Sequence, residues 1–366
     1  MERISQHQFV TLGAAVLMGT TFLPVASIVT LAGSRDGWMS VLPGFAVGVP
    51  YGLMVLSLSE QYPRQNLLQI SEMLLGKWIG KLVGSVFILV TVYLGSLLLG
   101  QVGDVYQASI MPLTPLWLFY LGGILLVLLL IQSGIEVFAR FSELVFPLIV
   151  IALLQSIVFS IPRIERGELM PIMSEGVKPI FLGAFKVMPF VMTYMLFLAV
   201  LIAFVPVGKR EFGQLRRGIW KVVFMVGILD MLVVLIQLLV FGPTETIRLV
   251  YGLLVLGKMV EISRTVAGVE SLFMGVWFGA AVIKIGSLFF AAIWGLETIF
   301  GLKGSKWRAV MCVVFLGIAF MYERGPSLII EIGFVDEYLI MPFVSVWIPV
   351  LWGVSRWKKA QSGGKG

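Results

Sequence analysis

Ten apolar runs, each close to the length of a bilayer crossing, follow one another through this 366-residue chain, near 8–31, 38–60, 82–103, 115–134, 143–161, 180–205, 218–241, 266–297, 307–322 and 336–355. A helix needs roughly 20 apolar residues to cross the hydrocarbon, and hydrocarbon offers no partner to an open backbone. The pattern predicts an all-α polytopic membrane protein of about ten transmembrane helices in a single transmembrane domain. Composition agrees: 59% of the residues are hydrophobic and 13% charged, where a soluble domain carries about 25% charge. The net charge of +7 does not point to nucleic acid, because the basic residues gather in alternate loops. One side carries about 17 of them and the other about 8, which places both termini in the cytoplasm and makes the lipid bilayer the partner. Two termini on one side require an even number of crossings. No cleavage site precedes the first run, so that run is expected to serve as its own insertion signal.

Two of the ten runs are interrupted. Gly19, Thr20, Thr21 and Pro24 fall in the middle of the first. Proline lacks an N–H and clashes with the preceding turn, and glycine lets the backbone leave helical geometry. The sixth run is interrupted at Lys186-Val187-Met188-Pro189. Broken spans in corresponding halves of a membrane chain are the best sequence pointer to a binding site near the midplane. A ligand site is therefore expected between 19–24 and 185–189, with Phe185, Lys186 and Pro189 on the second side. Half-helix N-termini at such breaks attract a carboxylate. Lys186 has two readings: a partner for an anionic ligand group, or a side chain snorkelling to the interface.

Other polar residues stand out against the apolar background. Tyr93 and Ser96 in the third span face either a cavity or a neighbouring helix. Asp230 lies near the centre of the seventh span, where an ionisable residue suggests a role in ions or gating; the alternative is a bond to a neighbouring helix. Lys284 in the eighth span has to face inward, since a lysine facing lipid costs ~2.5–3.5 kcal/mol on insertion scales. Gly44, Gly48 and Gly52 form a flat stripe for close helix packing. The single cysteine, Cys312, is expected to be a buried packing residue. No Walker A, HExxH, GxSxG or paired-cysteine signature occurs, so neither an enzyme nor a metal or other cofactor is expected.

An ordered series of short stretches carries a resemblance. It runs through Gly33-Ser34-Arg35-Asp36-Gly37-Trp38, Tyr62-Pro63, Leu75-Gly76-Lys77-Trp78-Ile79-Gly80-Lys81 and Met111-Pro112-Leu113-Thr114-Pro115-Leu116-Trp117. It continues with Gly134-Ile135-Glu136-Val137-Phe138-Ala139-Arg140, Leu169-Met170-Pro171, Val269-Glu270-Ser271-Leu272-Phe273 and Lys284. In this the chain resembles the spore germination permease family, the B subunits of GerA-type germinant receptors, within the amino acid–polyamine–organocation superfamily. The resemblance implies a LeuT-like fold of two inverted five-helix repeats (about 8–161 and 180–355), with the first and sixth helices broken. It also implies a nutrient sensor in the spore inner membrane that works with an A subunit and a lipoprotein C subunit. In the fold that the chain resembles, the eighth helix runs beside the unwound part of the first, and sodium-coupled members bind an ion between them. Lys284 would put a fixed ammonium there; the alternative is a structural bond to a neighbour such as the helix carrying Asp230. The chain departs from the family at Pro189-Phe190-Val191-Met192, where a glutamate is frequent, and at Ala267-Gly268, where an acidic–basic pair is frequent. These departures bear on the identity of the ligand.

Three functions fit these observations: a receptor subunit binding an amino acid or similar small nutrient, a proton- or sodium-coupled amino acid transporter, and a membrane subunit that only holds partner proteins.

Overall fold

The computed structural model describes residues 4–19, 21–205, 208–259, 269–322 and 326–363. Thr20 lies outside the described residues. The described residues contain no strand. A helix lies at each of the expected apolar runs. Seven helical stretches among the described residues are long and apolar enough to cross a membrane. The difference from ten comes from length. Helices α7 (Leu116–Gln132) and α13 (Ser305–Met321) have 17 residues each, and the first run is split.

That split is the centre of the fold. Helix α1 (Gln6–Met18) stops, and α2 (Val25–Gly33) begins after a buried turn. Some of the backbone groups around the turn find partners within it, as a break inside a membrane favours. Thr21 N–H donates to the Met18 carbonyl at 3.1 Å, and Val25 N–H to the Thr21 carbonyl at 3.1 Å. The Thr21 hydroxyl lies 3.1 Å from the Leu17 carbonyl oxygen. Beyond α2 the chain turns through 34–36 into α3 (Gly37–Ala46) and α4 (Gly48–Gln61).

The sixth run behaves differently. Helix α9 (Lys178–Leu201) is continuous through Pro189, which corrects the expected second break. The Lys186–Pro189 stretch holds no glycine beside its proline, and only one backbone N–H is lost. Neighbouring helices can hold such a helix together, and here α9 packs against α2, α3 and α4.

The remaining elements wrap these two. Helices α5 (Leu67–Leu75), α6 (Lys77–Ser109), α8 (Ile135–Ser160) and α10 (Lys209–Arg248) follow in chain order. After α11 (Gly252–Met259) comes α12 (Val269–Phe300), which packs along α6, α8 and α1. Helix α14 (Pro326–Phe334) runs through a π-helical stretch, Val335–Ile340, into α15 (Met341–Gly363). Glu136 and Arg140 pair at 2.6 Å on the first turns of α8. The stretch between α8 and α9 is tied down: both Asp36 carboxylate oxygens accept from Met173 N–H at 3.0 Å. Cys312 is free and half-buried, not buried.

Close approaches fix the packing. The glycine stripe receives α9 and α10: a Cβ on Gly44 would stand 2.8 Å from the Ala184 carbonyl oxygen, and one on Gly52 would stand 2.8 Å from Ile219. At the break, a Cβ on Gly19 would meet the Ala280 carbonyl oxygen and Lys284 Cβ, both at 2.6 Å. Gly19 is thus the seat of α12 on the broken helix. The Gly19→Leu variant is expected to lose stability by ~1–3 kcal/mol through overpacking, whereas Gly122→Leu, with nothing within 4 Å, is expected to leave melting unchanged. Thermal unfolding of both variants in detergent checks this.

Candidate functional site

Beside the first-helix break lies a cavity of about 320 Å³, enclosed by α2, α6, α9, α14 and the π-helical stretch. Its walls are mostly apolar: Ile28, Leu31, Phe190, Ile329 and Ile332. Into this apolar space come Gln101, Lys186, Asp336 and Glu337. A pouch of about 20 Å³, room for about one water molecule, shares Pro24, Gln101, Phe190, Ile332 and Asp336 with it and adds Thr193 and Lys284.

Local geometry brings these groups together. On α9, Lys186, Pro189, Phe190 and Thr193 recur at helical spacing and share one face. Lys186 Nζ donates to both carboxylate oxygens of Glu337, at 2.8 and 2.7 Å. Thr193 Oγ1 donates to Asp336 Oδ1 at 2.9 Å. Asp336 and Lys284 are both buried, at 6% and 3% exposure, and both line the pouch. Charged side chains taken this far from water need partners inside the protein. The wall therefore carries one ion pair, Lys186 with Glu337, and beside it in the pouch a lysine and an aspartate, Lys284 and Asp336.

The residues expected from sequence divide into three groups. Pro24, Lys186 and Pro189 line the main cavity, and Lys284 lines the pouch. Gly19 and Thr21 stand at the break without lining either space. Thr21 instead sits 3.1 Å from Asp230 Oδ2 on α10. Asp230 is fully buried and its Oδ1 has no hydrogen-bond partner. It bonds a neighbouring helix, and that helix is the broken one. Lys284 lines the pouch together with Asp336. The third group lies elsewhere. Phe185 is half exposed, with Phe181 and Leu182 on the outward face of α9, because one residue along a helix turns a side chain away from the Lys186 face. Ser96 donates to the Val92 carbonyl of its own helix at 2.7 Å. Tyr93 donates to Glu331 on α14 at 2.6 Å and contacts the Tyr322 hydroxyl. It ties α6 to α14 instead of facing the cavity.

Asp336, Glu337 and Thr193 were not anticipated. The two acids stand at the edge of the tenth apolar run, where charge conventionally marks a loop. The structure starts that helix at Pro326 and carries the acids inside. The apolar residues from Leu328 to Phe334, ahead of the acids, were the available signal. Among the described residues, no group of three His, Cys, Asp or Glu is placed to hold a metal ion.

Comparison with known proteins follows from this geometry. Residues 3–327 match the family model described as spore germination protein. Spore germination protein KB of Bacillus subtilis (strain 168) is 23% identical over 364 residues, covering 98% of this chain and 95% of that protein. Spore germination protein YndE of the same organism is 29% identical over 181 residues, 48% of this chain, and the match spans half of YndE's length. Among solved structures, MhsT in complex with L-phenylalanine superposes with a TM-score of 0.73 at 13% identity, covering 95% of this chain and 88% of that one. A manganese transporter of Eremococcus coleocola gives a TM-score of 0.64 at 12% identity, with coverage of 96% and 81%. The fold is thus that of LeuT-like transporters, and the chain belongs to the spore germination protein family as a multi-pass membrane protein.

Proposed function

We propose that this chain is the transporter-like membrane subunit of a nutrient germinant receptor, and that it binds a small zwitterion such as an amino acid in the cavity beside the first-helix break. The observation that carries this reading is the cavity wall. It is apolar except for Gln101 and charges of both signs: Lys186, Asp336 and Glu337, with Lys284 in the adjoining pouch. A zwitterion supplies the complement: its carboxylate takes a share of Lys186, its ammonium a share of Glu337 and Asp336, and its side chain lies on Ile28, Phe190 and Ile332. Entry exchanges the Lys186–Glu337 pair for two ligand pairs, so no charge is left buried alone. Moving Lys186 on α9 relative to Glu337 then couples binding to helix position, which is what a sensor requires. Within the same reading the protein has ten crossings in two five-helix repeats. Both termini lie in the cytoplasm, the membrane is the spore inner membrane, and the companions are the A subunit and the lipoprotein C subunit.

A coupled transporter is the second reading, favoured by the fold shared with transporters. Radiolabelled apolar L-amino acids distinguish the two. Binding to purified protein without flux in proteoliposomes supports sensing, and concentrative flux supports transport.

Two outcomes follow from the wall itself. Lys186→Met and Asp336→Asn are each expected to weaken binding about tenfold to a hundredfold, from ~1.5–3 kcal/mol for a charge-assisted hydrogen bond, while Phe185→Ala changes nothing. Equilibrium binding at matched membrane levels measures this, and unchanged affinity in both charge variants removes the ligand from the cavity. Lys284 puts a fixed ammonium at the α1–α12 seat, so binding is expected to persist in sodium-free buffer and to fail in Lys284→Ala. A strict sodium requirement in the wild type defeats that role.

A further inference from the structure

A second cavity, of about 690 Å³, opens where α4 ends, α10 begins and α15 ends, at the bundle end opposite the α14 start. Its lining includes Arg216, Arg356, Lys358 and Lys359 against a single carboxylate, Glu60. Glu60 is already engaged, 2.7 Å from Arg216. Lys358 donates to a neutral acceptor, the Leu74 carbonyl, at 3.0 Å. The Arg356 guanidinium lies 5.1 Å from the centre of the Trp352 ring, a cation–π contact that leaves its donors available. Ser355, between them, donates to Gln61 at 2.6 Å and holds the end of α15 against α4.

A general excess of basic residues at one membrane face sets orientation but does not require those charges to converge. Here cations from two helices surround one concave space, where their mutual repulsion disfavours the arrangement unless an anion enters. The depth of the space is marked by Trp352 and by Trp357, which is 62% exposed. Tryptophans prefer the headgroup level of a bilayer, and basic pockets between transmembrane helices at that level bind phosphate-bearing lipid headgroups. We propose that this cavity is a binding site for a phosphate-bearing anion presented by an anionic glycerophospholipid, held by Arg356 and Lys358 and closed on one side by the Arg216–Glu60 pair. Occupancy would tie the ends of α4, α10 and α15 together.

The test is lipid-dependent thermal unfolding of the full chain in neutral detergent. Phosphatidylglycerol, phosphatidylcholine and inorganic phosphate are titrated separately. Phosphatidylglycerol is expected to raise the melting temperature by about 3 °C or more near saturation, with no comparable rise from the other two. The variant Arg356→Gln/Lys358→Gln is expected to lose that rise, and Arg356→Lys/Lys358→Arg to keep it. A control, Lys77→Gln/Lys306→Gln, removes the same charge outside the cavity and is expected to respond as the wild type. Because each variant is compared with itself without lipid, a lower starting stability does not imitate the result. No phosphatidylglycerol-specific rise, or equal loss in the control, overturns the proposal. A rise with inorganic phosphate as large as that with lipid overturns the lipid source.

Discussion

Polar groups inside hydrocarbon have to find their partners inside the protein, and the break in the first helix is where that requirement is most demanding. Stopping α1 at Met18 frees backbone groups in the middle of the bundle. Local contacts from Thr21 absorb some of them, and α12 packs closely over Gly19. The arrangement joins three helices at one point. Thr21 reaches Asp230 on α10, and Lys284 rises from α12 beside Gly19. A change of angle at the break would be felt by both.

The same requirement bears on the charges of the candidate cavity and its pouch, which are of both signs. Lys284, Asp336, Glu337 and Lys186 would each be costly alone at this depth. Lys186 and Glu337 offset one another as an ion pair, and Thr193 donates to Asp336. The π-helical stretch Val335–Ile340 contributes to this. It carries Asp336 to Thr193 and Glu337 to Lys186, both on α9, from adjacent positions. π-Helical turns commonly mark functional sites, and this one supplies the anionic side of the cavity.

Much of the architecture was legible from residue order. Apolar runs of bilayer length determine helices, because no other open backbone survives in lipid. Gly19, two threonines and Pro24 within one run determine a break. The stripe Gly44, Gly48 and Gly52 determines a close crossing, and Lys284 in an apolar helix determines an inward side chain. Each of these follows from local chemistry in a uniform solvent. Which helix faces which was not local. Pro189 interrupts its run as Pro24 does, yet α9 stays continuous, with no glycine beside its proline and with packed neighbours around it. Phe185 and Lys186 are adjacent in sequence and separated in space by a helix face. Asp336 and Glu337 resemble the end of a loop until α14 is seen to run before them. Tyr93, Ser96 and Asp230 are polar groups whose partners lie on their own helix or on distant ones, and only the assembled bundle selects among those. The sequence by itself determined the membrane, the helices and the first break, because hydrocarbon imposes the same terms on every segment. The tertiary structure decided where the charges stand and the cavity they line, because those depend on which faces of α9, α12 and α14 meet.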